Sequence, residues 1–257
     1  MRRRVLRAAL GVVAAGAIVS CGGGNGSSDN GTTPEPSGPL SATQSADGNW
    51  LANPGFEQGA EPWITLHPQE GVGFTLSTDY AHSGADSAHL AMHDAADAGG
   101  SKVYYLVQEV KPGQFPDVVH GFYRVQNWQK NTPRQYLQFV CIAFGPKNFP
   151  TNVSNYQIRY PIAGIDSTPF QINNAYFVFL SRKPPVEGEW VPFEAHIKDD
   201  FLRLWGKIPE GFDKLRLLFE VRYDKKTAGD GPANADVYYD DLYIGPASPE
   251  PSSSPAP

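Results

Sequence analysis

The segment Lys214-Leu-Arg-Leu-Leu-Phe-Glu-Val-Arg-Tyr223 alternates apolar and polar side chains along most of its length. Successive side chains of a β-strand point to opposite faces of a sheet, so this period of two predicts a strand. Its two faces are Leu215, Leu217, Phe219 and Val221 on one side, and Arg216, Leu218, Glu220 and Arg222 on the other. We therefore expect a strand with one face in a dry core and a second, mostly polar face.

Similar segments recur along the chain, separated by residues that favour turns. They are 102–110, 118–128, 135–144, 175–180, 189–197 and 236–244, and a short helix is expected only around 199–205. The 26 glycines, 23 prolines and 19% charged residues suit turns and short strands better than long charged helices. The pattern predicts an all-β fold, a two-sheet antiparallel sandwich with one dry interior and one exposed sheet surface.

Three motifs stand in order along residues 49–245. They are Asn53-Pro-Gly-Phe-Glu57 followed by Trp63, the loop Ala81-His-Ser-Gly84, and Tyr238-Tyr-Asp-Asp-Leu242 in the last strand. Together they resemble carbohydrate-binding modules of the xylan-, cellulose- and β-glucan-binding type. The resemblance implies a galactose-binding-like jelly roll that binds a polysaccharide or oligosaccharide without cleaving it. The domain is longer than is usual for such modules, with apparent insertions around 146–174 and 227–235.

The resemblance also implies a structural calcium ion, with Glu57, Asp240 and Asp241 as candidate ligands. Calcium takes six to eight oxygen ligands, from carboxylates and backbone carbonyls. Strand parity places Asp240 on the side of Leu242 and Ile244, toward the interior, where an unpaired carboxylate is costly. Asp240 is therefore the better of the two aspartate candidates. The alternative is that Glu57 and Asp240 cap turns or pair with lysine or arginine.

A sugar-binding surface usually places an aromatic ring against the pyranose and surrounds it with planar hydrogen-bonding side chains. We expect these groups on the outer face of neighbouring strands. The candidates are Arg124, Gln126, Trp128, Tyr136, Gln138, Arg216, Glu220 and Arg222. The arginines suggest a polysaccharide that carries carboxylates, because guanidinium binds them bidentately. The alternative is a solvated sheet face with cross-strand ion pairs.

The sequence contains no recognisable catalytic motif. Glycoside hydrolysis needs two carboxylates beside the scissile bond, and the Glu-x-Asp-x-x-Glu run of jelly-roll glucanases is absent, as is the Gln-x-His segment of jelly-roll lyases. His89 and His93 share a strand face, but zinc would need further ligands that the sequence does not place. We therefore expect a binding protein rather than an enzyme. The alternatives are an envelope interaction module that has lost sugar binding, and a divergent polysaccharide lyase or hydrolase.

The two ends of the chain predict export and anchoring. Residues 1–20 read as a signal peptide, with a basic start and an apolar run too short to span a bilayer comfortably. The segment Ile18-Val-Ser-Cys21 resembles a lipobox, which implies that Cys21 is acylated. Residues 21–48 and 246–257, rich in Gly, Ser and Pro, are expected to be a disordered tether and tail. These features predict a lipid-anchored protein of the bacterial cell envelope, at the outer membrane or cell surface.

Charge and cysteine usage limit the partners. The formal net charge of −6 includes four arginines of the signal peptide, and without them 17 basic residues stand against 27 acidic ones. Nucleic acid is therefore not an expected partner, because phosphate binding requires a basic surface. Cys141 lies among inward-facing residues, and with Cys21 acylated no disulfide is predicted. We expect a monomer.

Overall fold

The computed structural model describes residues 40–41, 43–66, 73–97, 99–145, 155–208 and 211–247. These ranges contain twelve strands and one helix. The elements are β1 (Leu40–Ser41), β2 (Thr75–Ser77), β3 (Ser87–Asp94), β4 (Gly100–Val110), β5 (Val118–Gln129), β6 (Gln135–Phe144), β7 (Asn155–Ala163), β8 (Phe170–Ile172), β9 (Ala175–Phe177), β10 (Trp190–Ala195), α1 (Ile197–Trp205), β11 (Lys214–Lys226) and β12 (Ala233–Gly245).

The strands form two sheets. The seven-stranded sheet has the order β1-β4-β11-β6-β7-β9-β8, and the five-stranded sheet has the order β10-β5-β12-β3-β2. The β1/β4 and β7/β9 pairs are parallel, and the other pairs are antiparallel. The chain alternates between the sheets from β3 to β6 and again from β10 to β12. The predicted all-β jelly-roll sandwich is confirmed.

Aromatic rings from both sheets meet in the interior. The ring of Phe219 on β11 lies 6.0 Å from that of Trp63, 6.0 Å from Phe139 of β6 and 5.5 Å from Tyr239 of β12, measured between centroids. Each of these side chains is buried, and so is Cys141 beside them. Burial raises the pKa of the Cys141 thiol to about 12. The face of β11 that alternation assigns to the core therefore does lie in the core.

The predicted helix is confirmed as α1. Its buried face consists of Ile197 and Phe201, and the ring of Phe201 lies 4.9 Å from that of Phe115. The helix ends at Gly206, whose left-handed backbone lets its N–H bond the carbonyl of Leu202. The helix thus packs its apolar side onto the sandwich.

One apparent insertion contains a strand of the main sheet. Strand β7 lies within the segment 146–174 and pairs with β6 along its length. Tyr156, Ile158 and Tyr160 lie in the core and alternate with Gln157 and Arg159, which is the period of two expected of a strand. The length of the domain, rather than this pattern, suggested an insertion. The strand β7 therefore corrects the interpretation of this segment as an insertion.

One short strand lies inside the expected tether. Strand β1 pairs with β4 at Glu109 and Val110. The predicted signal peptide, Cys21 and the tail from residue 248 lie outside the described residues. Within the described ranges, no helix is both long and apolar enough to cross a membrane.

Candidate functional site

The candidate sugar-binding residues lie on two different sheets. Arg124, Gln126 and Trp128 belong to β5 in the five-stranded sheet, whereas Tyr136, Gln138, Arg216, Glu220 and Arg222 belong to β6 and β11 in the seven-stranded sheet. The neighbours of β5 are β10 and β12, and those of β11 are β4 and β6. The expectation of one shared face on neighbouring strands is therefore wrong. Alternation within a strand does not reveal which strands pair.

On the outer side of the seven-stranded sheet, the polar candidates form a buried network. The Glu220 carboxylate accepts hydrogen bonds from Gln138 Nε2 at 2.6 Å and from Arg222 Nη1 at 3.4 Å. The Asp224 carboxylate accepts from Arg222 Nη2 at 2.5 Å and from Tyr136 Oη at 2.9 Å. Gln138 is 0% exposed, Glu220 3% and Arg222 6%. These residues do not form the solvated face that the sequence allowed.

Arg216 is held in a second buried ion pair on the same side of the sheet. Its Nε and Nη2 lie 2.8 and 2.7 Å from Glu109 Oε1, and Lys214 Nζ lies 2.8 Å from the same carboxylate. The guanidinium carbon lies 5.0 Å from the ring centroid of Phe144. Both charged side chains of the central pair are 1% exposed. Arg216 thus binds a carboxylate of its own chain.

Two buried atoms of the Glu220 network lack a hydrogen-bond partner. They are Nε of Arg222 and Oε1 of Gln138. A buried polar atom without a partner costs free energy that a ligand or water could recover. That these residues bind a glycan stays a prediction.

On the five-stranded sheet, Arg124 and Gln126 face outward as expected, but they contact one another and a neighbouring loop. The guanidinium of Arg124 lies 4.3 Å from the ring centroid of Tyr80, and that ring packs edge-on against Tyr238 at 5.0 Å. With its amide turned to satisfy both groups, Gln126 accepts a hydrogen bond from Arg124 Nη2 at 2.8 Å. This side of the sheet is therefore partly covered by Tyr80.

A bulge in β5 separates Trp128 from the other two candidates. Gln126 pairs with Asp236 and Gln129 with Asn234, so two residues of β5 face one of β12. Asn127 has a positive φ of 53° at this point. The ring of Trp128 turns toward Gly164, where its Cη2 lies 3.1 Å from the place a Cβ would occupy. The expectation that Trp128 shares a face with Arg124 is corrected by this bulge.

Trp128 instead lines an open pocket of about 430 Å³. The lining residues are His93, Asn127, Trp128, Gln129, Glu187 and Asn234. They come from β3, β5, β12 and the segment before β10. Only Trp128 was expected at a binding site, because the other residues meet through strand pairing that the sequence does not display.

The amides of this pocket are each fixed at one end by the protein. Asn127 Nδ2 donates to Asp236 at 2.7 Å, and Asn234 Nδ2 donates to Gln129 Oε1 at 2.6 Å. The Trp128 backbone N–H donates to Glu187 Oε2 at 3.0 Å. Among the described residues, these bonds leave Oδ1 of both asparagines, Nε2 of Gln129 and Oε1 of Glu187 for a ligand. The pocket thus presents hydrogen-bonding groups whose orientation is already set.

Behind the pocket, the two histidines bracket one carboxylate. His89 Nε2 lies 2.9 Å and His93 Nε2 3.0 Å from the same oxygen, Asp236 Oδ1. Burial alone would raise the pKa of Asp236, but hydrogen bonds from Asn127, His89 and His93 outweigh it and lower that pKa. An ionised carboxylate only accepts, so each Nε2 carries the hydrogen. Within the described parts of the chain, no three acidic, histidine or cysteine side chains are arranged to hold a metal.

The calcium candidates Asp240 and Asp241 both bind the loop that follows Tyr80. Asp240 Oδ2 accepts hydrogen bonds from the backbone N–H groups of His82 at 2.7 Å and Ser83 at 3.2 Å. The Asp241 carboxylate lies 2.6 Å from His82 Nδ1 and accepts from Ser83 Oγ at 2.6 Å. The two aspartates therefore fasten this loop to the end of β12.

Glu57 binds the next residues of the same loop. Its Oε1 accepts from the N–H groups of Ala85 and Asp86, both at 3.0 Å. Gly84 has a positive φ of 63°, and a Cβ there would collide with the Glu57 carboxylate. Three carboxylates thus meet one loop, a charge that would suit a divalent cation, but N–H and O–H donors already contact their oxygens. This geometry matches the capping alternative, and calcium stays a prediction.

Asp240 does not lie on the side that parity assigned to it. The register of β12 against β5 shifts between Asp240 and Tyr243, and Asp241 has a positive φ of 48°. Leu242 and Ile244 therefore face the core while Asp240 faces the opposite side, paired with Phe122. Asp240 is nevertheless fully buried. Burial raises its pKa from 3.8 to about 6.

This raised pKa predicts that Asp240 contributes to the pH dependence of stability. The folded protein binds the proton more tightly than the unfolded chain, so the contribution is complete below pH 3.8 and is lost as the pH rises through about 6. Between pH 5 and pH 7 the free energy of unfolding should fall by about 1 kcal/mol more in the wild type than in Asp240→Asn. Urea unfolding of both proteins at several pH values measures this difference.

The two proteins are compared by the pH slope of their free energy of unfolding, because the amide of Asp240→Asn changes the local hydrogen bonds at every pH. Equal slopes for the two proteins would contradict the raised pKa. Repeating the series with calcium and with a chelator tests the predicted ion, since a cation held by Asp240 favours the ionised carboxylate and stabilises the folded state by mass action. An unchanged unfolding midpoint would leave the capping interpretation.

The fold is similar to solved carbohydrate-binding modules. One is TmCBM61 in complex with β-1,4-galactotriose, with a TM-score of 0.41, 14% identity, and coverage of 76% of this chain and 97% of that one. Another is CBM28, described as specific for non-crystalline cellulose, with a TM-score of 0.42, 14% identity, and coverage of 80% and 97%. At these scores the likeness carries no argument of its own, and the fold assignment rests on the strand order above.

Solved structures of enzymes are also similar to this fold. A cellulase derived from the Cel12A enzyme of Rhodothermus marinus has a TM-score of 0.36 and 11% identity, and covers 66% of this chain and 89% of that one. No family model and no curated protein matches the sequence. The residues of the site therefore carry the evidence for function.

Proposed function

We propose that this protein is a non-catalytic carbohydrate-binding protein and that it holds an oligosaccharide or polysaccharide in the pocket beside Trp128. The observation that carries the proposal is that Trp128 lines a pocket together with amides whose orientation is already set by the protein. Sugars offer an apolar ring face and a rim of hydroxyl groups. An aromatic wall with fixed donors and acceptors complements both features.

The carboxylates near the pocket support binding rather than hydrolysis. Among the described lining residues Glu187 is the one carboxylate, and the nearby Asp236 is engaged by two histidines and an asparagine. On the seven-stranded sheet, the carboxylates of Glu220 and Asp224 both bind Arg222. Glycoside hydrolysis needs two carboxylates that are available to the scissile bond.

A second candidate function is supported by the burial of the outer side of the seven-stranded sheet. Gln138, Glu220 and Arg222, expected to contact sugar, are buried and bonded to protein groups. This arrangement suits an envelope interaction module that keeps the jelly roll without sugar binding. The two functions differ in whether the Trp128 pocket binds any glycan.

Removing the indole of Trp128 should abolish most of the glycan binding. We expect Trp128→Ala to weaken the affinity at least 30-fold, because truncating a central tryptophan in a binding site typically costs about 2 kcal/mol or more. Affinity electrophoresis and a glycan array with plant, algal and bacterial polysaccharides identify the ligand. Isothermal titration with an oligosaccharide of that ligand then measures the change.

Trp190→Ala serves as the matched control. Trp190 is a half-buried tryptophan on β10, where it packs edge-on against His82 with 5.8 Å between ring centroids, and it does not line the pocket. Its loss should leave the affinity unchanged. Thermal melts check that both variants fold. An equal loss of affinity in both variants would contradict glycan binding in the Trp128 pocket. If the wild type bound no glycan, the envelope interaction module would be favoured.

We also propose that the domain is held near the cell by lipid on Cys21. The support is the sequence of residues 1–24, with its basic start, apolar run and small residues around the cysteine. Several acyl chains on one residue suffice for stable membrane anchoring. The proposal places the domain outside the cytoplasm, where a glycan-binding protein meets polysaccharides. The mass of the mature amino-terminal peptide tests it, and an unmodified Cys21 would refute it.

A further inference from the structure

The free groups of the Trp128 pocket are mostly hydrogen-bond acceptors. Because the nitrogen ends of Asn127 and Asn234 are bound to Asp236 and Gln129, both asparagines present their oxygens. Glu187 retains Oε1 after its other oxygen accepts from the Trp128 N–H. With this excess of acceptors, the pocket favours a ligand group that donates several hydrogen bonds.

The histidine of the pocket is bound to the protein. His93 Nε2 donates to the carboxylate of Asp236. Gln129 Nε2 is the one amide donor left by the bonds described above. A ligand carboxylate, which only accepts, would therefore meet few partners here.

The described lining of the pocket carries one carboxylate, that of Glu187, and no arginine or lysine. Lys130 lies near Trp128 but donates to the carbonyl oxygen of Gly164. Behind the pocket, the pKa of Asp236 is lowered, so this carboxylate is ionised at neutral pH. The arginines that suggested a carboxylated polysaccharide lie elsewhere, with Arg216 bound to Glu109 and Arg222 to Asp224. The lining thus favours a cation.

The tryptophan of the pocket also suits a cation. Tryptophan attracts ammonium groups more strongly than the other aromatic side chains, and Trp128 lines the pocket while part of its ring packs against the core. Beside it stand the Glu187 carboxylate and the asparagine oxygens. A protonated amine, which donates three hydrogen bonds, is complementary to this set of groups.

We propose that the pocket takes a sugar unit that bears a protonated amino group. The proposal rests on the proposed function. It narrows the substrate class to glycans that contain a hexosamine whose amino group is not acetylated. The amine binds Glu187 and the asparagine oxygens, and the sugar ring packs on Trp128. An N-acetylated or hydroxylated unit lacks the charge that Glu187 recognises.

The test compares three oligosaccharides that differ only at carbon 2. These are β-1,4-linked oligomers of glucosamine, N-acetylglucosamine and glucose, equal in length and titrated at pH 7 in about 0.15 M salt, where exposed charges are screened beyond about 8 Å. We expect the glucosamine oligomer to bind at least tenfold more tightly than the other two. Equal affinity for all three, or preference for the glucose or N-acetylated oligomer, overturns the proposal and leaves the carbohydrate-binding function intact.

Two variants distinguish binding at this pocket from a general attraction of the cationic oligosaccharide to an acidic protein. Glu187→Gln removes the charge of the pocket, and Glu194→Gln removes the same charge from an exposed position on β10 where it contacts His196. We expect the preference for glucosamine to fall at least fivefold in Glu187→Gln and to be unchanged in Glu194→Gln. Equal losses in both variants would show nonspecific attraction and overturn the proposal. Failure of the wild type to bind any glycan on the array would instead refute the proposed function itself.

Discussion

Replacing Glu109 by alanine is expected to lower the free energy of unfolding by about 3–5 kcal/mol, the usual effect of removing one member of a buried ion pair. Arg216 and Glu109 are each 1% exposed, with Nη2 of the arginine 2.7 Å from the carboxylate. The variant keeps the guanidinium in the protein but removes the carboxylate that it binds. Lys214 loses the same partner. Urea unfolding at pH 7 measures the effect.

Glu194→Ala is the control for this prediction. Glu194 lies 3.1 Å from His196, but the two side chains are 55% and 60% exposed. Water solvates such a pair before and after the change, so the loss should stay below about 1 kcal/mol. Glu109→Gln, which keeps the size of the side chain, separates charge from packing. If Glu109→Ala and Glu194→Ala had equal effects, the buried pair would contribute no more than a surface pair.

The second large effect is expected at the centre of the core. Phe219→Ala should reduce the free energy of unfolding by about 3–5 kcal/mol, because it removes buried apolar surface and leaves a cavity. The ring of Phe219 lies within 6.1 Å of four others, measured between centroids. They are Trp63, Phe139, Phe193 and Tyr239. Since these rings come from both sheets, the cavity would lie where the two sheets pack against each other.

Phe170→Ala provides the matched comparison. Phe170 stacks on Phe177 with 4.3 Å between ring centroids, yet it is 38% exposed on the short edge strand β8. We expect a loss of less than about 1 kcal/mol, because surface substitutions away from the core have small effects. Unfolding monitored by tryptophan fluorescence and circular dichroism measures both variants. A Phe219→Ala loss as small as that of Phe170→Ala would contradict the central position of Phe219.

Periodicity predicted the strands well where one face is apolar. Leu215, Leu217 and Phe219 share one face of β11, and the structure buries all three. The same argument succeeded for Cys141 on β6. β7 shows the same alternation, but the length of the domain suggested an insertion there. Periodicity does not reveal whether the second face is exposed, because Glu220 and Arg222 on the second face of β11 are buried as well.

Two bulges limited the prediction of the site. A residue with positive φ at Asn127 turns Trp128 away from Arg124, and another at Asp241 reverses the side on which Asp240 lies. A single extra residue changes the face of every following side chain, because the period of a strand is two. Neither position is marked by glycine, so the sequence did not indicate them.

By itself, the sequence determined the all-β class, the positions of most strands, the helix α1 and the core face of β11, because these depend on local spacing and on the exclusion of apolar side chains from water. Only the tertiary structure decided which strands pair, and so which residues meet. It buried Gln138, Glu220 and Arg222 among protein partners, and it brought His93, Glu187 and Asn234 to Trp128. Those contacts join positions that are distant in the chain, and their geometry follows from sheet register rather than from any local pattern.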